Sequence, residues 1–391
     1  MLSRSGREQA GVAMDFLLNI GTTFVGYVIP FLCVLTIVVF FHELGHFLVA
    51  RWCGVRVDAF SIGFGPELIG RNDRHGTRWR IAAVPLGGYV KFRGDDSVAS
   101  TPDNEVLKTM SDAERAETFP AKNVAQRAAI VAAGPMANFV LAIVVFAIFF
   151  GVYGKQMVAP RIDAVVPDSA AAVAGLQPGD LILSIDGEKI ESFSDIQRVV
   201  TVNAGVPMRM EIERGGETIS REVTPKLSVI EDRFGNKNSV GLLGVQRSTK
   251  PEDVVVRHYA PPAAVLMGVS ETWDIIVRTG QYIAGVVSGR QPADQLGGPI
   301  RVAQISGQVA SLGIIPLIHM MAFLSVSIGL INLVPVPMLD GGHLLFYAIE
   351  AVRGRPLSER ALEMSFRVGV AIVLTLMVLV TWNDIMNLVS S

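Results

Sequence analysis

The sequence is poor in charged residues and in cysteine. Aspartate, glutamate, lysine and arginine together make up only 18% of its 391 residues, whereas hydrophobic residues make up 50%. Such an apolar composition is unusual for a soluble protein of this length and indicates several membrane-spanning segments. The formal net charge is −2 and no block of basic residues stands out, so no nucleic-acid partner is expected.

The two cysteines argue against a disulfide framework. Cys33 lies inside a hydrophobic stretch, and Cys53 lies near the end of that stretch. These positions predict two unpaired thiols rather than a bridge that joins loops.

Four stretches are long and apolar enough to cross a bilayer as helices. They cover residues 22–49, 125–152, 314–334 and 368–388. A fifth stretch, 265–287, contains three charged residues and is interpreted as an amphipathic helix that lies on the membrane. The sequence therefore predicts a polytopic α-helical membrane protein with about four transmembrane helices.

The first hydrophobic run is interpreted as a retained span rather than as a cleaved signal peptide, because it is too long for one. Residues 1–21 form an N-terminal segment before it. Within that segment Met14 is an alternative start to Met1, since residues 1–13 are polar and have no periodic pattern.

The distribution of arginine and lysine predicts the orientation in the membrane. Basic residues are frequent between the first two spans and between the last two, and the C-terminal tail has none. The positive-inside rule then places both of these loops in the cytoplasm and both termini outside. Residues 153–313 are expected to face the periplasm, in a multi-pass protein of the bacterial inner membrane.

A short motif near the end of the first span predicts the chemistry. His42 and His46 are one helical turn apart, so both imidazoles leave the same face and can share one metal ion. Glu43 lies beside the first histidine, where its carboxylate can take a proton from the attacking water. Residues 28–41 contain no charge, and polar groups in such a run usually mark function.

Asp340 is the expected third ligand. The first and third spans both run inward, so Asp340, which follows the third, reaches a depth similar to that of His42 and His46. Two imidazoles and one carboxylate leave the open position that a catalytic zinc needs, and one Zn²⁺ per chain is predicted. An ordinary Asp-Gly-Gly turn is the alternative for Asp340. His343 is a competing ligand or a hydrogen-bonding neighbour of the ligands.

The segment that leads to Asp340 contains two prolines. Pro335 and Pro337 cannot extend a regular helix, and they leave backbone carbonyls free. Irregular backbone of this kind is tolerated at membrane depth where it lines a polar cavity. Asn332, at the end of the third span, can hold an extended substrate through its amide. These three residues are predicted to bind substrate.

The motifs resemble the signature of the site-2 protease family of intramembrane zinc metalloproteases. The resemblance extends over residues 28–385 and rests on the stretches 42–51, 61–66, 81–91, 134–138, 296–300 and 332–341. Within the family, the chain is similar to the RseP-type regulators of sigma-E signalling. The resemblance implies Glu43 as the general base, zinc bound by His42, His46 and Asp340, and membrane helices as substrates.

Residues 55–92 are predicted to form a glycine-rich β-element directly after the metal motif. The family resemblance implies that this element dips back into the membrane and pairs edge-on with an unwound substrate, with Gly87 and Gly88 at the contact. The alternative is an ordinary soluble hairpin.

Residues 160–228 predict a compact β-rich domain whose pattern resembles a PDZ domain of the bacterial protease type. A small-residue helix precedes a Gly-Asp turn at Gly179, a β-run and a second turn at Asp186. Such domains commonly accept a peptide as an added strand. One copy is present, whereas many RseP-type relatives have two, and residues 229–313 are interpreted as a connecting region. The alternative is a spacer or size filter without a peptide ligand.

The sequence thus predicts an intramembrane zinc metalloendopeptidase that cleaves transmembrane segments in the lipid bilayer. The expected substrates are single-span membrane proteins that another protease has already cut, such as an anti-sigma factor stub or a signal-peptide remnant. One alternative is a non-catalytic, zinc-containing membrane receptor or scaffold that uses the PDZ-like domain. A metal transporter is a further alternative, but the nearly uncharged spans do not favour it.

Overall fold

A computed structural model of the chain describes residues 24–94, 109–231, 237–247, 254–287 and 298–390. The predicted N-terminal segment and both candidate start residues lie outside this range. The chain divides into two compact units. The first comprises residues 1–147, 265–282 and 293–391, and the second comprises 148–264 and 283–292.

Helices form most of the first unit. In chain order the helices of the described residues in both units are α1 (Ile29–Trp52), α2 (Asp112–Ala116), α3 (Val124–Val152), α4 (Ala170–Val173), α5 (Phe193–Val202), α6 (Pro261–Val287), α7 (Pro299–Ser311), α8 (Ile314–Asn332), α9 (Asp340–Arg353) and α10 (Glu359–Ser390). A π-helical turn, Phe24–Val28, leads into α1. Within the described residues, four helices are long and apolar enough to cross a membrane, namely α1, α3, α8 and α10.

Two spans end at other residues than the hydrophobic pattern predicts. Helix α1 continues to Trp52 instead of ending at 49, because the chain leaves the helix only at Gly54, whose φ of +70° is left-handed. Helix α8 ends at Asn332 instead of 334, because a helix is disfavoured directly before Pro335.

The last span is longer than predicted. Helix α10 begins at Glu359, whereas the hydrophobic run begins at 368. The added residues are mostly good helix formers, and Glu363 pairs with Arg367 one turn later at 2.7 Å. The resulting membrane-length segment is Arg360–Met386.

The predicted β-element consists of two long strands, β1 (Val57–Asn72) and β2 (Arg78–Phe92). Residues 59–62 pair with 88–91 on one side and with 78–81 on the other. Each strand therefore bends and folds over, so that two strands provide four strand segments. The β-element is therefore not a simple hairpin.

The bend in β1 depends on glycine. Gly63 has a φ of +87°, and a Cβ at this position would lie 2.8 Å from the carbonyl oxygen of Val84. The turn between the strands thereby returns to the end of α1. There the Thr77 hydroxyl donates to the Val57 carbonyl at 2.9 Å.

An aromatic cluster fixes the β-element on α1. The Phe60 ring is buried and lies 4.3 Å from the Trp79 ring and 5.6 Å from the Phe47 ring, measured between centroids. Phe47 comes from α1, one residue after His46. Burial of these large rings stabilises the strands directly beside the histidine-bearing turn.

Close contacts join α8 and α6 to α3. Helix α8 crosses α3 where the Ser325 hydroxyl donates to the Asn138 carbonyl at 2.8 Å. Helix α6 reaches α3 at Gly268, where a Cβ would lie 2.6 Å from the Ile143 carbonyl oxygen. Helix α6 begins at Pro261, four residues before the predicted amphipathic helix at 265–287.

Helix α7 was not predicted as an element, because its residues fall in the connecting region. Its N-terminus is capped from a distance by Asp384 of α10, which is buried. The Asp384 carboxylate accepts from the backbone N–H groups of Gly298, Ile300 and Arg301 at 2.9–3.1 Å. A carboxylate at a helix N-terminus satisfies otherwise unpaired donors.

The second unit is rich in β-strands. They are β3 (Lys155–Val158), β4 (Ala164–Val165), β5 (Leu181–Ile185), β6 (Glu188–Lys189), β7 (Met208–Arg214), β8 (Glu217–Val223), β9 (Lys226–Glu231), β10 (Lys237–Leu242), β11 (Val245–Gln246) and β12 (Val254–Arg257). Strands β6, β5, β7 and β8 form one sheet in that order, and alternate residues of β7 are buried. Helix α5 packs Ile196 and Val200 into the same core.

Strands of this unit continue beyond residue 228, where the predicted domain ends. Strand β11 pairs with β4, which begins the domain, and Leu243 belongs to the core. The β-rich unit therefore continues through Gln246. The pattern at 160–228 could not reveal this, because a two-residue strand that pairs with a distant segment leaves no periodic signal.

Candidate metal centre

Three side chains from two distant helices converge in the first unit. The Nε2 atoms of His42 and His46 are 3.2 Å apart. Oδ2 of Asp340 lies 3.2 Å from the first of these nitrogens and 3.6 Å from the second. The three form a cluster whose ligand atoms lie within 4.8 Å of one another, which is the arrangement the sequence predicts.

The distances within the cluster fit a zinc ion. Donor atoms that bind a tetrahedral zinc at its usual bond lengths lie about 3.3–3.6 Å from one another. Among the described residues, the buried Oδ2 of Asp340 has no hydrogen-bond partner. Two imidazole nitrogens and a carboxylate oxygen that face one point are satisfied together by a divalent cation.

The outer nitrogen of each imidazole has its own partner. His46 Nδ1 donates to the Ile130 carbonyl of α3 at 2.9 Å. In the neutral ring Nε2 then carries no hydrogen, and its lone pair is free to bind a metal ion. His42 Nδ1 lies 3.3 Å from the side-chain amide of Asn138, also on α3.

The Asn138 amide fits this role with its oxygen toward the imidazole. A metal at His42 Nε2 requires a hydrogen on Nδ1, and only the amide oxygen can accept it. With the nitrogen turned toward the ring, that oxygen is buried without a partner among the described residues. The two ends of the amide have the same shape, so a half-turn brings the oxygen to the hydrogen on Nδ1.

Gly134 lets α3 approach the imidazoles. A Cβ at this position would lie 2.2 Å from His46 Nε2 and 2.9 Å from His42 Cε1. Gly45 provides the matching gap on α1, where a Cβ would lie 2.2 Å from the Ala133 carbonyl oxygen. The two helices are therefore in contact directly beside the metal ligands.

Asp340 is the first residue of a helix, and the alternative of an ordinary Asp-Gly-Gly turn is wrong. Helix α9 starts at Asp340. Gly341 and Gly342 fit beneath the preceding loop, where Cβ atoms would lie 2.2 Å and 2.4 Å from the carbonyl oxygens of Leu333 and Val336. The loop is thus pressed onto the first turn of α9, which fixes the carboxylate.

An ion pair holds α9 on α3. Arg127 of α3 donates to the Glu350 carboxylate at 2.7 Å, and its guanidinium lies 4.9 Å from the Tyr347 ring centroid. The two charged side chains are only 17% and 13% exposed. This contact joins residues 223 positions apart and sets the position of the helix that begins with Asp340.

Glu43 faces a cavity beside the ligands. The cavity has a volume of about 190 Å³, and its lining residues include Glu43, His46, Tyr89, Met338, Asp340 and His343. Met338 has a φ of +100°, an uncommon conformation for a residue other than glycine. Phe366 of α10 also lines the cavity.

Among the described residues, none of the predicted substrate-binding residues lines this cavity. Gly88 is adjacent to Glu43, because a Cβ there would lie 3.1 Å from Glu43 Cγ. Gly87 lies under the Phe64 ring. In the part of the chain that the structure describes, Asn332, Pro335 and Pro337 are not among the cavity lining residues, whereas Met338 is.

Sequence reasoning missed the contribution of Asn138 and left the role of His343 open. Asn138 was noted only as part of a motif, although a lone amide in an apolar span is itself a signal of function. His343 was considered as a competing ligand. It lines the cavity one helical turn after Asp340, but it does not belong to the three-residue cluster found among the described residues.

Comparison with known proteins is consistent with this centre. Residues 30–376 match peptidase family M50. "Putative zinc metalloprotease Atu1380" of Agrobacterium fabrum is 52% identical over 364 residues, which cover 93% of this chain and 97% of the relative. "Metalloprotease MmpA" of Caulobacter vibrioides is 40% identical over 381 residues, which cover 91% and 94%.

The fold, the metal-ligand cluster and these relatives define a membrane-embedded zinc metalloprotease. The chain belongs to peptidase family M50. This confirms the resemblance to site-2 proteases that its motifs indicated.

Two solved structures are similar to about a fifth of the chain. The PDZ domain of an SdrC-like protein from Listeria innocua is 20% identical and covers 22% of this chain and 91% of its own, with a TM-score of 0.19. The corresponding domain from Listeria monocytogenes is 22% identical and covers 23% of this chain and 88% of its own, with a TM-score of 0.18.

Proposed function

We propose that this metalloprotease cleaves transmembrane segments of membrane proteins, as in regulated intramembrane proteolysis, and that His42, His46 and Asp340 hold its zinc. The observation that carries the proposal is the convergence of these three ligand atoms between apolar membrane helices. A peptide bond that reaches this centre has to be at membrane depth, so the substrates are themselves membrane helices. Anti-sigma factor stubs and signal-peptide remnants fit that description.

Glu43 acts as the general base. Zinc, when bound, supplies a Lewis acid that activates water and polarises the peptide carbonyl. Glu43 accepts a proton from the attacking water and returns it to the leaving amine. Its position on the cavity wall beside His46 and Asp340 supports this assignment.

The β-element and the proline loop hold the substrate in an extended form. A protease needs an unwound chain, and a strand edge binds an extended chain through backbone hydrogen bonds. Gly88 carries β2 past Glu43, so a substrate strand along this edge passes the catalytic carboxylate. Gly87, Asn332, Pro335 and Pro337 are proposed to contact the substrate at the margin of this path.

The protein is oriented with its centre toward the cytoplasmic side of a bacterial inner membrane. The basic residues of the loops after α1 and after α8 support this orientation. The second unit then lies in the periplasm. Its sheet of four strands with two short helices supports a PDZ-like domain that begins near 160 and continues through Gln246.

Substitution of the base distinguishes the protease from a zinc-containing receptor or scaffold. Glu43→Gln should keep zinc and abolish cleavage, so membrane peptides that are lost in wild-type cells should accumulate in the variant. Glu363→Gln, an exposed carboxylate on α10, is the matched control and should cleave normally. Undiminished turnover by Glu43→Gln would reject the assignment of the base. Full biological function without cleavage would favour the receptor or scaffold.

A further inference from the structure

An open cavity, separate from the metal centre, lies where α1 ends. It has a volume of about 670 Å³. The end of α1, the turn between β1 and β2, and the residue that follows α2 enclose it. Its lining includes Arg51, Gly54, Arg56, Arg74, His75 and Glu117. None of these residues belongs to the catalytic cavity.

The cavity is positively charged. Arg51 is balanced by Asp73, to which it donates at 3.2 Å. Arg56 and Arg74 are exposed, and neither has an ion-pair partner among the residues that the structure describes. Glu117 is the one carboxylate among the described lining residues. Its single negative charge does not balance both arginines, so the cavity keeps a net positive charge.

The turn between the strands is ordered before any ligand binds. The Asp73 carboxylate accepts from the backbone N–H groups of His75 and Thr77 at 2.8 Å and 2.9 Å. Gly76 has a φ of +87°, and a Cβ there would lie 3.3 Å from a guanidinium nitrogen of Arg56. The folded-over strands therefore bring the two unpaired arginines to one cavity without a rearrangement.

The cavity adjoins the end of the first membrane helix, where we expect the lipid headgroups to lie. It begins at the last residues of the first membrane helix, whose Trp52 is 80% exposed. Tryptophan is enriched at the boundary between the bilayer and water. Leu48, one turn earlier on α1, is 40% exposed and offers an apolar path for an acyl chain.

We propose that this cavity binds the phosphate group of an anionic phospholipid. The guanidinium groups of Arg56 and Arg74 donate to the phosphate oxygens, which match their planar geometry. The acyl chains run along α1 past Trp52 and Leu48. The position at the end of a membrane helix favours a lipid over a free phosphate, since the lipid is concentrated at that depth.

The test measures lipid binding to the full-length protein in detergent micelles. Short-chain phosphatidylglycerol, short-chain phosphatidylcholine and inorganic phosphate are titrated separately, and the shift in melting temperature gives the affinity. Phosphatidylglycerol should bind, and the other two should not at the same concentration. Replacing both arginines with a neutral residue, as in Arg56→Gln with Arg74→Gln, should weaken the binding of phosphatidylglycerol roughly 30-fold.

Two further variants make the outcome decisive. Arg71→Gln with Arg353→Gln removes the same charge from exposed positions outside the cavity, and it should leave the affinity unchanged. Arg56→Lys with Arg74→Lys keeps the charge but not the planar guanidinium groups, so it should bind phosphatidylglycerol more weakly than the wild type and more tightly than the glutamine variant. An equal loss of affinity in the control would overturn the proposed site, because general attraction to the charged surface would then explain the binding. Saturation of the cavity by inorganic phosphate alone would overturn the proposal that its ligand is a lipid.

Discussion

At the scale of single residues, the metal centre depends on the absence of a side chain at Gly134 as well as on the histidines themselves. Gly134 leaves the space that His42 and His46 occupy, and Asn138 lies against the outer nitrogen of one imidazole. The neighbours of zinc ligands orient them and typically change the affinity for metal by about 10–100-fold. Helix α3 therefore shapes the site although it provides no ligand.

A pair of glycine substitutions tests this role of α3. Gly134→Ala should lower zinc affinity by at least about tenfold, because the added methyl group would collide with His46 Nε2. Gly280→Ala on α6 is the control, since nothing lies within 4 Å of a Cβ there. Competition with a chelator, followed by measurement of zinc per chain, gives both affinities. An unchanged affinity in Gly134→Ala would mean that α3 does not pack as described.

At the scale of elements, the position of Asp340, the third proposed ligand, depends on the docking of α9. Asp340 begins this helix, and Glu350 near its other end is held by Arg127. The loop before the helix contributes through close contacts at Gly341 and Gly342. A helix fixed at both ends presents its first carboxylate in one place.

The Arg127–Glu350 pair should contribute measurably to stability. A double-mutant cycle with Arg127→Met and Glu350→Gln should give a coupling of about 2–3 kcal/mol, because both groups are largely buried. The exposed pair Glu363–Arg367 is the control and should give only about 0.3–0.5 kcal/mol. Unfolding in mixed micelles provides the free energies. Equal couplings for the two pairs would contradict the position given to α9.

The second unit has its own buried ion pair. Asp180 is fully buried and accepts two hydrogen bonds from Arg214 at 2.7 Å and 2.8 Å. Burial alone would raise the pKa of Asp180, but the hydrogen bonds from Arg214 and from the Gln177 N–H hold it below its usual range. The ionised form is thus the one that the folded unit requires.

Loss of this carboxylate should destabilise the second unit alone. Asp180→Asn should lower its stability by about 2–3 kcal/mol. Because the folded pKa is depressed, the contribution is present above the unfolded pKa of about 3.9 and is lost as the pH falls through the folded value. Hydrogen exchange of β5 and β7 in the full chain should therefore accelerate in the variant and in acidified wild type. Glu188→Gln, which removes one partner of an exposed ion pair, should not change the hydrogen exchange of either strand.

At the scale of the whole molecule, the sequence predicts the parts that local patterns determine. The four spans follow from apolar runs, and the shared face of His42 and His46 follows from the helical period. The proximity of Asp340 follows from the direction of the spans. Each of these depends on a rule that acts within one element or on the order of elements.

The remaining features depend on tertiary contacts that no local pattern contains. The strands of the β-element fold over because Gly63 bends one of them, and β11 returns to pair with β4 across more than 70 intervening residues. Helix α7 is capped by Asp384 from another span. Likewise, the partner of His42 is an asparagine 96 positions away. Such contacts are decided by packing, which a single sequence does not reveal.

The most direct test of the zinc centre is metal analysis with X-ray absorption on the purified full-length protein. The account predicts one zinc per chain, with two imidazole nitrogens and one carboxylate oxygen from the protein in its first shell. Asp340→Asn should lose most of this zinc, whereas Glu43→Gln should retain it. Zinc with no imidazole in its first shell, or a full zinc content after removal of Asp340, would contradict the centre described above.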